Sequence, residues 1–373
     1  MRLFPFLRRP GASLALAVAA LLGLALACVD PEQAGGGATG GTALYAFDTA
    51  DSATRRLLVW DDANGFFNAE AAPATTRTIS SDQFEKVKNL AWGGLAVDGP
   101  GNRLWLVGEG GDVVRVERLR QQNGTVPVAE VSHFNLGNSG DRLNNGKFSQ
   151  AALDPVTGVL YVLETSDTEA RVWVVDSPLS QADGSIVSPG NKIGVSGDKG
   201  GTGLAAAAGS VYAFFRDGNQ IQVSTDTYNG PRLRAGNRGG FNASAVLIGA
   251  ATGLASYGSL AVDTGNNRLY VARHNQDTSA STPPISVFTF GQFGSNPNQA
   301  PDKGTLGTPA LNSLRVLAHP GTKDWLGALD SLSGEAPTNV IRLFRNPSQN
   351  PTIKSFTLGA GVKLKGLALD GNA

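Results

Sequence analysis

Beyond residue 42, the chain alternates apolar and polar residues in short runs separated by turns rich in glycine and asparagine. One unit recurs: a small apolar strand ending in Leu-Ala-Val-Asp, a turn, a strand with a central aromatic residue, and a Val-rich strand. The unit is clearest at residues 94–98 with 102–107, and it returns at 259–263 with 267–272. Period-two alternation without a helix of usable length predicts an all-β protein.

The first strand of this unit begins at six positions, with intervals of 55, 54, 56, 54 and 53 residues. A fixed period of this size is the signature of a repeat architecture. Each repeat also has room for a fourth, outer strand, which predicts the four-stranded blade of a β-propeller. The starts are residues 94, 149, 203, 259, 313 and 366, and the candidate outer strands are 75–80, 128–136, 243–249 and 352–358.

The sixth repeat begins at residues 366–370, but the chain ends at Ala373. Strands that fit its missing second and third positions lie at the other end of the chain, at residues 43–47 and 56–60. We therefore predict a six-bladed β-propeller in which the two ends of the chain share one blade, an arrangement that protects sheet edges. The alternative is an open solenoid with two frayed ends.

Each second strand carries one aromatic residue, and these residues are predicted to occupy one equivalent position in all six repeats. Such a ring of aromatics could form a stacking surface for a carbohydrate or cofactor, or it could pack between neighbouring sheets. Because large aromatic side chains are usually buried, we predict that these residues belong to the core. They are Tyr45, Trp105, Tyr161, Tyr212, Tyr270 and Trp325.

The first residues have the pattern of an export signal. Arg2, Arg8 and Arg9 precede an apolar run at residues 12–26, which is shorter than the roughly 20 residues of a membrane-spanning helix. Small residues then provide a cleavage site, which predicts a signal peptide at residues 1–27. A glycine-rich tether is predicted at residues 28–42 and the propeller at 43–373.

Cys28 is the only cysteine, and it directly follows the predicted cleavage site. Residues 24–28, Leu-Ala-Leu-Ala-Cys, resemble the lipobox of bacterial lipoproteins, although Ala25 stands where that family usually has leucine. The resemblance implies that Cys28 is acylated and anchors the chain to a membrane. Val29, rather than aspartate, implies the outer membrane or cell surface. Plain secretion with a free cysteine is the alternative.

Charge and motifs exclude several classes of function. Without Arg2, Arg8 and Arg9, 28 basic side chains face 31 acidic ones, a net charge of −3, whereas a nucleic-acid binder would show a basic excess. One cysteine cannot form a disulfide within the chain or a zinc–thiolate site. The Gly-x-Ser-x-Gly, His-Glu-x-x-His and phosphate-loop motifs are absent.

The phrases Leu-Ala-Val-Asp and Asn-Arg-Leu-Tyr-Val-Ala resemble the broad group of NHL, YVTN and lactonase-like bacterial propellers. The resemblance covers residues 43–373 and implies the fold. It does not imply one function, because these groups include scaffolds, binding proteins and metal-dependent hydrolases.

In a propeller, the loops between second and third strands share one face with the starts of the inner strands. We call this the mouth face. Its candidate ligand site comprises Glu109, Glu164, Arg273, His274, Asn275 and Asp330, with Asp48, Arg216 and Asp217 in equivalent loops. No cofactor is otherwise indicated, but the lactonase-like resemblance implies a divalent metal at the mouth. Glu109, Glu164, Asn275 and Asp330 would then offer oxygen ligands to Ca²⁺ or Mg²⁺. The alternative is that all are solvated loop residues.

The opposite face carries the turns between first and second strands, and we call it the turn face. Asp98, Asp154, Asp263 and Asp370 precede these turns, where aspartate is expected to bond its own backbone. His319 is predicted to occupy the place of these aspartates, since Ala-His-Pro matches Leu-Asp-Pro. His133 falls in a predicted outer strand. Arg232, Arg234 and Arg238 form either a solvated loop or a docking patch for an anionic partner.

Three functions remain open from the sequence. The first is a non-enzymatic binding or scaffolding module of the cell envelope with a protein partner. The second is a metal-dependent hydrolase or lactonase with its site at the channel mouth. The third is a binder of envelope glycans. The anchor, the tether and the absence of a catalytic motif favour the first.

Overall fold

The computed structural model describes thirteen stretches between residues 41 and 371. Contacts divide the chain into residues 1–39 and 40–373, and all described residues belong to the second unit. Cys28, Arg216, Asp217, His274, Asn275, Arg232, Arg234 and Arg238 lie outside the described residues. The described stretches are 41–50, 55–167, 169–187, 192–195, 201–215, 220–224, 245–254, 257–273, 284–289, 298–307, 314–321, 323–330 and 338–371.

Strands dominate these stretches, as the period-two pattern predicts. The first half contains β1 (Ala43–Asp48), β2 (Arg56–Trp60), β3 (Arg77–Ser80), β4 (Leu90–Asp98), β5 (Arg103–Gly108), β6 (Asp112–Val116), β7 (Gly124–Thr125), β8 (Val131–Leu136), β9 (Lys147–Leu153), β10 (Leu160–Thr165), β11 (Ala170–Val175), β12 (Ser185–Val187) and β13 (Lys192–Val195). The second half contains β14 (Gly201–Ala207), β15 (Ser210–Phe215), β16 (Gln220–Ser224), β17 (Ala245–Ile248), β18 (Tyr257–Asp263), β19 (Arg268–Arg273), β20 (Ile285–Thr289), β21 (Thr305–Leu306), β22 (Leu314–Ala318), β23 (Trp325–Asp330), β24 (Val340–Arg345), β25 (Thr352–Thr357) and β26 (Leu364–Asp370).

Helices are few and short in the described stretches. One α-helix, Asn64–Asn68, lies between β2 and β3 and buries Phe66 and Phe67. The 3₁₀ helices are Asp82–Glu85, Leu119–Gln121, Val128–Glu130, Ser139–Asp141 and Ala250–Thr252. None of the described helices has the length and apolar character needed to cross a membrane.

The strands form a β-propeller architecture of separate, mainly antiparallel sheets. In the described residues the strand orders are β26-β1-β2-β3-β7 (sheet 1), β4-β5-β6-β8-β12 (sheet 2), β9-β10-β11-β13 (sheet 3), β14-β15-β16-β17 (sheet 4), β18-β19-β20-β21 (sheet 5) and β22-β23-β24-β25 (sheet 6). Strand β26 pairs antiparallel with β1, so that Ala43 lies opposite Asp370 and Phe47 opposite Gly366.

Sheets 1 and 2 have five strands, so the prediction of four-stranded blades is wrong for both. The additional strands come from the following repeat and pair in parallel with the outer strand. Ile79 of β3 lies opposite Gly124 of β7, and Phe134 of β8 lies opposite Ser185 of β12. In both cases the additional strand pairs with the outer edge of the sheet, where backbone N–H and C=O groups would otherwise have no strand to pair with.

The predicted aromatic residues belong to the core, with side chains at most 6% exposed. Five of them share one register, each opposite an alanine of the inner strand. Trp325 does not, because Ala318 of β22 lies opposite Gly327 and Trp325 precedes that position by two residues. A Cβ at Gly327 would lie 3.0 Å from Leu367 Cδ2, so leucines of β26 fill the aromatic residue's place. The predicted equivalence of Trp325 is therefore wrong.

Residues of the inner strands line a channel of about 130 Å³. Three consecutive residues line it from each of β4, β9, β14, β18, β22 and β26, and in β22 and the residue after it these are Leu317, Ala318 and His319. His319 therefore takes the place of Val97 and Val262, one residue before the repeated aspartate. The prediction that His319 replaces that aspartate is wrong by one position.

Candidate functional site

Every inner strand has a register shift near the mouth face. In β26, Phe47 pairs with Gly366 but Asp48 pairs with Leu364, so Lys365 is left out of the pairing. The shift in β4 is larger, because it extends from Leu90 to Leu95, and Trp92 lies within this interval. Bulges of this kind redirect side chains and are common beside functional sites. The residues left out in the other inner strands are Ser149, Thr202, Gly258 and Arg315.

These bulges divide the mouth into two unlike halves. Ser149, Thr202 and Gly258, on β9, β14 and β18, are small and uncharged. The bulges of β22, β26 and β4 instead carry Arg315, Lys365 and Trp92. We call these last three residues the mouth sector, and all three are half-buried.

A cation–π contact links two members of the mouth sector. The guanidinium carbon of Arg315 lies 5.3 Å from the ring centroid of Trp92. Trp92 also packs against the apolar cluster that contains Leu364 and Leu367. A contact of this kind contributes about 0.5–2 kcal/mol, depending on how far it is desolvated. The indole is thus held in place by the core below it and by the cation beside it.

Glu109, one of the predicted site residues, contacts Lys365 of the mouth sector. Its Oε1 lies 3.5 Å from Lys365 Nζ, and its side chain is 28% exposed. Its backbone is fixed as well, because its N–H donates to Asn89 O at 2.7 Å and its carbonyl accepts from Phe148 N at 3.1 Å. Glu109 is therefore positioned by its backbone beside the ammonium group of Lys365.

Glu164 is buried between strands and is already engaged. Its Oε1 accepts a hydrogen bond from Leu143 N at 2.8 Å, and its Oε2 accepts one from Trp173 Nε1 at 2.7 Å. The loop passes so close that a Cβ at Gly146 would lie 2.7 Å from Oε1. This geometry assigns Glu164 a structural part in holding the loop before β9.

Asp330 is also fully buried, at the mouth end of β23. Its Oδ2 accepts hydrogen bonds from Arg342 Nε at 2.8 Å and Nη2 at 2.7 Å. Burial raises the pKa of Asp330 above its ordinary value, and the opposing effect of Arg342 is smaller. Asp48 is similar: it accepts from the N–H groups of Ala50 and Lys363, each at 3.0 Å. Asp330 therefore connects β23 to β24, and Asp48 connects β1 to the loop before β26.

The remaining predicted site residues are described only in part. Arg273 ends β19 opposite Tyr257, while His274 and Asn275 lie outside the described residues. No contact between described residues joins Glu109, Glu164 and Asp330 to one another, and each has different partners. Within the described stretches, no three His, Cys, Asp or Glu side chains come together in a way that could hold a metal ion.

Sequence reasoning missed the mouth sector. Arg315 and Lys365 lie two residues before the Leu-Ala pair of their own inner strands, and Trp92 lies three residues before the Leu-Ala pair of β4. Aligning the position two residues before this pair gives Arg315 and Lys365 against the small residues Gly93, Ser149, Thr202 and Gly258, so it reveals the two cations but not Trp92. This signal lies in the first strands, whereas the predicted site residues lie at the ends of second strands and in the loops that follow them.

On the turn face, the repeated aspartates do more than the predicted bonding to their own turns. Asp98 Oδ1 does accept from Gly101 N at 2.8 Å. Asp154, however, uses Oδ2 to accept from Gly209 N of sheet 4 at 2.7 Å. This aspartate therefore connects neighbouring sheets.

Asp263 makes such a connection through a histidine. Its Oδ2 lies 3.4 Å from His319 Nε2, and both side chains are 2% exposed. His319 Nδ1 accepts from Gly321 N at 3.0 Å, which leaves Nε2 as the proton-bearing atom that faces Asp263. Burial opposes ionisation of Asp263, but His319 and the hydrogen bonds from Asn266 outweigh it and hold its pKa below the ordinary value.

Comparison with solved structures supports the β-propeller fold. In the crystal structure of a nidogen/laminin complex, the similar chain aligns with a TM-score of 0.52 at 13% identity, covering 88% of this chain and 98% of that chain. At that identity the likeness shows the fold alone. A second match, hydrazine synthase of Kuenenia stuttgartiensis, has a TM-score of 0.44 at 10% identity over 72% of this chain and 67% of that chain, too low to indicate a shared fold. No family model and no curated protein matches the chain.

Proposed function

We propose that this chain is a binding or scaffolding β-propeller of the bacterial cell envelope, and that its mouth sector contacts a protein partner. The observation that carries the proposal is the Arg315–Trp92 pair, at 5.3 Å, on bulges of two inner strands. Tryptophan and arginine dominate the energetics of protein interfaces. Here they are pre-positioned, so little side-chain entropy is lost on binding.

We further propose that the six sheets are the blades of one closed ring. The pairing of β26 with β1 supports this arrangement, because it joins residues from both ends of the chain. The channel supports it too, because it is lined by the inner strands of six sheets. Gly366 gives a third support: a Cβ there would lie 2.9 Å from Leu90 Cδ2, so β26 packs directly on sheet 2.

Attachment of the propeller to the outer membrane or cell surface is part of the proposal. It rests on the signal peptide at residues 1–27, on the lipobox-like sequence before Cys28, and on the glycine-rich tether. The described chain enters the propeller on the turn face, where Lys323 Nζ donates to Gly41 O at 2.6 Å. The mouth sector lies on the opposite face, which leaves it accessible to a partner.

Capture from solubilised envelope tests the binding function. We expect the unchanged full chain to recover an envelope protein, and Arg315→Gln and Lys365→Gln to reduce that recovery at least tenfold together. Ser149→Ala and Thr202→Val are matched controls, because they change the equivalent bulges in the neutral half of the mouth. Capture of the chain alone, or equal loss of recovery in the controls, would contradict the proposal.

A further inference from the structure

We infer that the turn face rests on the membrane surface, with Val128, Val156 and Leu179 in contact with lipid. The inference rests on the proposed acylation of Cys28 and adds to it an orientation and a protein–lipid interface. It assigns the two faces of the propeller to different partners: lipid on the turn face and a protein at the mouth.

Exposed apolar side chains are concentrated on the turn face. Among the described residues, five large hydrophobic side chains are exposed, and three of them lie in turn-face loops. Val128 is 83% exposed, Val156 is 65% exposed, and Leu179 is 47% exposed. Val128 and Leu179 follow the third strands of sheets 2 and 3, and Val156 lies in the turn between β9 and β10.

Hydrogen bonds hold two of these side chains on rigid loops. The N–H of Val156 donates to Asp154 Oδ1 at 2.9 Å. Arg115 Nη1 donates to the carbonyl oxygen of Leu179 at 2.8 Å and to that of Pro178 at 2.9 Å. The loops therefore present their apolar side chains outward without further ordering, which lowers the entropy lost on contact with lipid.

The third side chain stands beside a neutralised pair of charges. Val128 begins a 3₁₀ helix that ends at Glu130, and Arg118 Nε donates to Glu130 Oε2 at 2.9 Å. Because Arg118 and Glu130 compensate each other, bringing this part of the face to a bilayer costs less than desolvating a single charge. Apolar and charge-paired residues thus lie side by side.

The position and length of the tether make this contact favourable. Gly41 lies on the turn face, only 13 positions after Cys28. A chain of that length reaches at most about 45 Å. Such a short link gives the turn face an effective concentration near the bilayer in the millimolar range, enough for a few aliphatic side chains to bind.

Site-specific labelling of the full chain, purified from membranes and reconstituted into phosphatidylcholine/phosphatidylglycerol vesicles, tests the inference. Cys28 is the only cysteine, so Val156→Cys adds a single reactive thiol when Cys28 is acylated. We expect a polarity-sensitive maleimide dye at position 156 to be quenched at least threefold more by nitroxide lipids than the same dye on Lys147→Cys. Lys147 is an exposed residue at the mouth end of β9 and is the matched control.

Maleimide labelling of the unmodified chain distinguishes a missing lipid anchor from a wrong orientation of the propeller. If it takes up maleimide stoichiometrically at Cys28, the proposed anchor fails and the inference fails with it. If it resists maleimide but positions 156 and 147 are quenched equally, the anchor stands and the orientation is overturned. In a Val128→Asp/Leu179→Asp background, we expect quenching at position 156 to fall towards the Lys147→Cys value. Unchanged quenching there would remove these two side chains from the interface.

Discussion

Arg120 and Asp370 form an ion pair across 250 positions of sequence, with Arg120 Nη2 and Nε at 2.8 and 3.2 Å from Asp370 Oδ2. The Asp370 side chain is 1% exposed. Arg120 Nη2 also donates to Gly99 O at 2.7 Å, in the turn after β4. The pair therefore fastens the C-terminal strand of sheet 1 to the turn face of sheet 2.

The first prediction concerns this pair. Arg120→Ala should lower the free energy of unfolding by roughly 2–4 kcal/mol, because it leaves a buried carboxylate without its cation. Urea denaturation followed by tryptophan fluorescence measures the effect. Arg118→Ala is the control: Arg118 pairs with Glu130 but is 57% exposed, so its loss should cost less than about 1 kcal/mol. Equal losses in the two variants would show that Arg120 does not fasten the strand.

The second prediction concerns the packing of β26 on sheet 2. Gly366→Ala should destabilise the protein by roughly 1–3 kcal/mol, because its Cβ would lie 2.9 Å from Leu90 Cδ2 and 3.1 Å from Leu95 Cβ. Gly359→Ala should change stability little, since nothing lies within 4 Å of that Cβ. Thermal unfolding measured by circular dichroism distinguishes the two. A neutral Gly366→Ala would contradict the close approach of the two strands.

The third prediction concerns pH and Asp263. Its folded-state pKa lies below the unfolded value, so ionised Asp263 stabilises the fold above the unfolded pKa, and this contribution is lost as the pH falls through the folded-state pKa. Asp263→Asn should therefore cost roughly 1–3 kcal/mol at pH 7, and the difference from the unchanged protein should shrink below about pH 4. Urea titrations at several pH values measure it.

Asp98→Asn is the control for that experiment, because Asp98 holds the same repeat position but bonds only within its own sheet. We expect a smaller loss of stability from it at pH 7. A difference for Asp263→Asn that stays constant from pH 7 to pH 3 would exclude the ionised carboxylate as its source.

The fourth prediction tests whether Glu164 has a structural role or binds a metal ion. Because both of its oxygens already accept hydrogen bonds, Glu164→Gln should destabilise the fold by roughly 1–3 kcal/mol. It should not change the response of the melting temperature to millimolar Ca²⁺. A Ca²⁺-dependent rise that is present in the unchanged protein and lost in Glu164→Gln would instead favour the metal-dependent hydrolase.

Part of the candidate site could be predicted from the sequence, and part could not. The place of Glu109 after a second strand predicts it at the mouth, and it does reach Lys365 there. The same rule predicts Glu164 and Asp330 as site residues, yet both are buried: Glu164 accepts a hydrogen bond from the loop before β9, and Asp330 pairs with Arg342 of β24. Spacing gives the position of a residue along a strand, but not whether a loop will fold back over it.

The equivalence of positions in different repeats is also only partly predictable from the sequence. Aspartate before a turn is a local signal, and Asp98 and Asp154 make the expected bonds to backbone N–H groups two or three residues ahead. One aromatic residue per repeat is also a sequence feature. Yet Trp325 lies two positions out of register, because leucines of β26 occupy the space beside Gly327.

The sequence by itself determined the all-β class, the repeat period and the strands, because alternation of apolar and polar residues depends only on which face of a strand is buried. Tertiary structure alone decided which residues form the mouth sector and which partners the buried carboxylates have. Arg315 and Trp92 lie far apart in sequence and meet only where the inner strands crowd together and bulge. Arg120 finds Asp370 for the same reason: a contact between sheets depends on how their edges pack, which no single strand encodes.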